Sequence, residues 1–201
     1  AASQPAIQHP IEPEAAASAA APPLTLDNAD AVLKQALSEL LSGKAVATWL
    51  RSDDIVRRAV ATVDGLGRAH SAPRLWPVNP TAGRFTVQRE GDAETIGAAN
   101  AARYAPFVGF VESVDVTRAA SVYRKHYPLF QSAYKELGYP QGYFNDRLVA
   151  VLDQMLSTPE PTGALAVRLT EVKGEVASTQ PWLRYEFVDP QLEALPAGSK
   201  L

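Results

Sequence analysis

A chain of 201 residues, 46% hydrophobic and 20% charged, carries enough apolar surface for one core of ordinary domain size and needs no second domain. Its net charge of -3 and pI near 5.6 exclude the bulk basic field on which nucleic-acid binding leans. The absence of cysteine excludes disulfides, thiolate metal sites and cysteine nucleophiles. His9, His70 and His126 are too scattered for a paired-ligand spacing, so neither a metal nor another cofactor is expected.

Residues 1–24 are rich in Ala and Pro and poor in large apolar groups. Such a segment cannot bury enough surface to offset the entropy of ordering, so it reads as a flexible linker with a helical turn at Ala15 to Ala21. A single domain, residues 25–201, follows. Asp27 or Asn28 is placed to cap a first helix whose Val32, Leu33, Ala36, Leu37, Leu40 and Leu41 recur at helical spacing until Gly43. After a short piece at Ala45 to Leu50, Ser52 can cap a second helix, with Asp53 and Asp54 in its first turn and Ile55, Val56, Ala59, Val60, Val63 and Leu66 on its apolar face.

Trp76 lies between prolines in PRLWPVNP, which imposes extended or turn geometry, and GRFTVQRE alternates as a short strand at 84–88. Helical spacing resumes from Thr95 to Val114, where Pro106 predicts a kink or two short helices. A long helix runs from Thr117, its expected N-cap, to Leu137, with Gly138 as the stop. One stripe carries Tyr123, Tyr127, Phe130, Tyr134 and Leu137, the next Ala119, Val122, His126, Leu129 and Ala133. Two adjacent stripes make this the central helix, bent near Arg124 by Pro128. Asn145 or Asp146 caps the next helix, whose core side is Leu148, Val149, Val151, Leu152, Met155 and Leu156. LAVRLTEV and WLRYEFVD then read as strands at about 165–172 and 182–188. The fold class is mainly α: a compact multi-helix bundle with a small antiparallel β element.

Four of the seven tyrosines fall between Tyr123 and Tyr139, and Tyr143 follows in the turn. The turn LGYPQGYFNDR groups Tyr139, Tyr143, Asn145, Asp146 and Arg147 at a helix start, where N–H groups and an arginine can hold an anion or a partner. Capping, stapling and ion pairing account for the same residues equally well. Arg74 and Trp76 offer a stacking surface or a lid on the core, and Asn100, Arg103 and Tyr104 are further candidates to converge with the turn. The acids Glu112, Asp115, Glu136, Asp146 and Asp153 show no spacing diagnostic of a catalytic pair. His126 sits in an apolar stripe, as a packed core histidine does, and no nucleophile or phosphate-binding motif is present, so no catalytic residue is assigned. From Lys44 to Arg89 bases outnumber acids, which makes either an anion-attracting or a merely solvated face.

The motifs LDNADAVLKQAL, RRAVATVDGL, APRLWPV, NAARYAPFVGFVESVD, YPLFQSAYKELGYPQGYFNDRL and YEFVDPQLEALPAGSKL, in this order, resemble a bacterial family known as domain of unknown function 3014. The resemblance covers Leu26 to Leu201. It implies no activity, ligand or catalytic residue, but it implies an envelope protein with an N-terminal membrane helix and a Pro/Ala-rich linker, and a further helical stretch after GSKL. The chain begins at Ala1 and its single methionine is Met155, so any signal or anchor is expected upstream of Ala1. The expected function is a non-enzymatic domain on the periplasmic side of the inner membrane that binds a protein or an envelope polymer, with no nucleic acid as partner. The alternative is a small-ligand binder or hydrolase-like enzyme with a cleft near the 139–147 turn, formed by Arg74, Trp76, Arg103, Tyr104, Tyr143 and Asp146.

Overall fold

The structure, a computed structural model, describes residues 6–12, 24–170 and 183–201. The helical turn expected at Ala15 to Ala21, and parts of the strands expected at 165–172 and 182–188, lie outside them. The described chain is mainly helical with a small antiparallel sheet. α1 (Ala29–Leu40) begins after Asn28, whose side-chain oxygen accepts the Thr25 N–H at 2.7 Å. It ends at Leu41, short of Gly43, because Ser42 accepts the Ala45 N–H at 3.1 Å and starts a separate helix, α2 (Gly43–Trp49).

α3 (Ile55–Leu66) is not capped by Ser52. Asp54 occupies the N-cap with φ 50°, and Asp30 reaches across from α1 to accept the N–H groups of Asp54 at 2.8 Å and Ile55 at 3.2 Å. A carboxylate there satisfies orphan donors and faces the positive end of the helix dipole. α4 (Ala99–Glu112) runs through Pro106 as one helix, so two separate helices are not formed. α5 (Val116–Glu136) is capped by Asp115, which accepts the Arg118 N–H at 3.0 Å, so Thr117 falls inside the first turn. Gly138, at φ 114°, ends the run in a conformation that L side chains rarely adopt.

Leu33 of α1, Ile55, Val56 and Val60 of α3, Tyr127, Leu129, Ala133 and Tyr134 of α5 and Phe144 at the start of α6 (Phe144–Leu156) form one core. Both expected stripes of α5 contribute to it, although Leu137 stays 43% exposed. The core side of α6 is narrower than its apolar pattern: Val151 is buried, but Leu152, Met155 and Leu156 are largely open to solvent. α6 packs on α3, α5 and a C-terminal 3-10 turn (Ala197–Lys200), which together cover only part of its apolar arc.

The sheet has the order β1-β2-β3-β4, all antiparallel, from β1 (Val87–Glu90), β2 (Ala93–Ile96), β3 (Ala166–Leu169) and β4 (Tyr185–Phe187). The strand expected at 84–88 therefore sits three residues later, as the first arm of a hairpin turning at Gly91. The second arm takes Thr95, from which helical spacing had been read. Trp49 of α2 packs on Phe107 and Phe110 of α4, with ring centroids 5.5 and 5.9 Å apart, tying α4 to the helical layer. α7 (Pro190–Glu193), a single turn, follows β4. Among the described residues, no helix is long and apolar enough to cross a membrane.

Candidate functional site

The start of α6 takes its caps from α5 rather than from Asn145 or Asp146. Gln131 Oε1 accepts the Phe144 N–H at 2.9 Å, and the Tyr127 hydroxyl accepts the Asn145 N–H at 3.3 Å. Gln131 is itself fixed by the Tyr127 hydroxyl at 3.0 Å and by its own donation to the Gly142 carbonyl at 2.8 Å. With its first two N–H groups satisfied from outside, the helix leaves the Asn145 and Asp146 side chains for another task.

That task is to hold residues 6–12, part of the segment read as linker. Asp146 accepts the Gln8 N–H, at 3.2 and 3.1 Å from its two oxygens, and the His9 N–H at 2.7 Å. Asn145 Nδ2 donates to the His9 carbonyl at 2.9 Å, while its Oδ1 accepts from the Tyr123 hydroxyl at 3.0 Å. The Tyr143 hydroxyl accepts the Ile11 N–H at 2.7 Å, and the Ile11 side chain packs against the core. Pro10 has no N–H to offer. From Gln8 to Ile11 every available backbone donor is thus taken by the turn, which grips the main chain of a segment bent at Gln8 and His9.

Tyr139 and Arg147, expected beside these residues as ligand groups, serve a buried network instead. Asp64 of α3, 7% exposed, accepts from Arg147 Nε at 3.1 Å, from the Tyr139 hydroxyl at 3.2 Å and from Arg68 at 2.7 Å, and Arg68 also contacts the Tyr139 hydroxyl. Arg147 further donates to the Asp64 carbonyl at 2.8 Å. Gly67 makes room, since a Cβ there would lie 2.7 Å from the Arg147 guanidinium. Asp64 was not among the expected site residues. Its signal was a carboxylate four residues after Val60 on an otherwise apolar face.

Of the remaining candidates, Trp76, Arg103 and Tyr104 line a cleft of about 530 Å³ between α4 and the sheet, away from the turn. The seven other candidates are not among its lining residues. Asn100 is 6% exposed and entirely structural: it accepts the Thr86 N–H at 3.1 Å and donates to the carbonyls of Thr86 at 2.6 Å and Gly97 at 2.8 Å. Arg74 is exposed, and its carbonyl accepts from Arg58 at 2.8 Å.

Electrostatics separates these regions further. Burial pushes the Tyr123, Tyr127 and Tyr134 hydroxyls above the ordinary phenol range, so they remain neutral and able to donate. The basic stretch from Lys44 to Arg89 is neutralised in part: Arg57 pairs with Asp27, Asp54 and Glu136, Arg58 with Asp53, Arg68 with Asp64 and Arg89 with Glu94. His126 is buried with Nδ1 2.9 Å from the Val122 carbonyl. Among the described residues no cluster of His, Cys, Asp and Glu could hold a metal ion.

Fold and turn together define a mainly helical domain that clasps a short stretch of its own chain at a helix start. The model of the family described as "Protein of unknown function (DUF3014)" matches residues 55–201, and the chain belongs to that family. The matched region contains the turn, the Asp64 network and the cleft, whereas the clasped residues 6–12 precede it. No curated protein and no solved structure matches the chain.

Proposed function

We propose that this is a non-enzymatic domain of the bacterial cell envelope whose α6 turn binds a short segment of a protein partner through its main chain. The observation that carries the reading is the seating of Gln8 to Ile11 on Tyr143, Asn145 and Asp146 through main-chain hydrogen bonds. Contacts of this kind tolerate many sequences, provided that a residue without an N–H, or with a free one, can occupy the position of Pro10 and an apolar residue follows it. The chain's own tail is then the resident ligand. A partner competes with it against a local concentration that a short tether raises to the millimolar range.

The test uses a full-length variant with residues 7–11 replaced by Gly and Ser, titrated with a labelled peptide of sequence AIQHPIE. Binding is expected there, weaker by about tenfold in the unreplaced chain, and lost when Asp146→Ala is added. A folded tail variant that ignores the peptide would discard the proposal. Arg147 is left untouched because its change would disturb the Asp64 network. The Ala/Pro-rich tail and the family's likeness to envelope proteins support a location on the periplasmic side of the inner membrane. A reporter active only outside the cytoplasm, fused to the complete gene product, is expected to be active; an inactive fusion rejects that location.

A further inference from the structure

We infer that the cleft between α4 and the sheet binds a small monocarboxylate with an apolar body, its carboxylate held by Arg103. The volume, about 530 Å³, lies in the range of small-molecule sites, about 300 to 1,000 Å³. Its walls are largely aromatic and aliphatic: Trp76, Phe85, Ile96, Phe107, Val167 and Tyr185. The Trp76 indole N–H is already donated to Ser71 Oγ at 2.9 Å, so that ring adds apolar surface rather than a hydrogen bond.

Both carboxylates in the lining are already paired. Glu186 pairs with Arg168 at 2.7 Å and Glu193 with Lys200 at 2.9 Å, which leaves Arg103 as the lining cation with no carboxylate partner among the described residues. Its Nε is buried without a hydrogen-bond partner, a condition that native structures rarely leave unanswered. The arm is nonetheless held in place. Its stem lies over Gly83, where a Cβ would come within 3.2 Å of Arg103 Cδ, and its guanidinium carbon lies 4.9 Å from the Tyr104 ring centroid. A planar guanidinium with one unanswered charge matches a planar carboxylate with one charge. A doubly charged phosphate would leave one charge uncompensated in an apolar cleft.

The probes are 3-phenylpropionate and octanoate, with 3-phenylpropanol and octanol as neutral shape matches, titrated calorimetrically into the full chain. The acids are expected to bind, with the alcohols weaker by about tenfold or more. Arg103→Met, which keeps an apolar stem, is expected to bring the acids down to the level of the alcohols, and 3-phenylpropyl phosphate to bind the unaltered chain less tightly than the acid. Equal binding of acids and alcohols to the unaltered chain, or none of either acid, overturns the proposal whether or not the variant folds. Acid affinity retained by a folded Arg103→Met, or tighter binding of the phosphate, overturns it as well.

Discussion

The turn at the start of α6 and the cleft beside α4 both bring tyrosine and arginine to a concave surface, but only the turn is completed by the chain itself. There Asp146, Asn145 and Tyr143 close on residues 8–11, and Arg147 and Tyr139 close on Asp64. In the cleft, Arg103 keeps a buried Nε without a partner. Residue type therefore says little about availability. What separates the two regions is whether another part of the fold supplies the complementary group.

The change expected to disturb this contrast most is Asp64→Ala. It strands Arg147 beside a half-buried hydroxyl and removes the pair to Arg68, a loss of about 3 kcal/mol or more for a buried pair broken from one side. Thermal melting should show a large fall in midpoint, and a midpoint within a degree or two of the unaltered chain would mean that the network contributes nothing.

Alkaline pH comes next. The folded state keeps protons on Tyr123, Tyr127 and Tyr134 that the unfolded chain releases above about pH 10, so stability is complete below that value and declines as pH rises further. Denaturant midpoints should begin to drop near pH 10, about the unfolded phenol value, and keep falling as pH rises above it, and Tyr123→Phe should flatten the drop. Equal slopes in the two proteins would show that the Tyr123 hydroxyl takes no part.

Asp146→Ala should cost only about 1 to 2 kcal/mol, because its hydrogen bonds lie near solvent. Its larger signature is local: hydrogen exchange at Gln8, His9 and Ile11 should accelerate while the amides of α3 and α5 stay protected. Uniform acceleration would mean that the tail is an integral part of the cooperative unit. The smallest effect is expected from Arg74→Ala, within about 0.5 kcal/mol, with peptide binding at the turn and acid binding in the cleft both unchanged.

Periodicity made the helical part of this fold legible. The stripes of α1, α3 and α5 place Leu33, Val60, Tyr127 and Tyr134 in the core, as their spacing predicts. The β1–β2 hairpin was less visible because its strands are only four residues long: the alternation of GRFTVQRE places β1 three residues early, and AETI is too short to show a period of its own. Two of the caps, those of α3 and α6, were misread for the same reason. Asp30 caps α3 from α1, and Gln131 and Tyr127 cap α6 from α5, whereas a sequence motif registers only partners a few residues away. The turn stood out by its tyrosines. Its occupant did not, because residues 8–11 are held mainly by backbone groups, and composition measures side chains. Arg103 and Tyr104 were recognisable as candidates, yet the cleft they line is assembled from segments some 80 residues further along the chain, including Val167 and Tyr185.

The clasped tail also bears on how the domain would carry a load. Gln8 to Ile11 are seated on the face that carries Asp146 and Tyr143, so a pull applied upstream of them is felt first at that face. Tension along the chain meets the main-chain bonds of Gln8, His9 and Ile11 before it reaches α1. These bonds, roughly 1 kcal/mol each, would yield well before the helical core. Under such tension the docked segment would act as a catch, the first part of the fold to give.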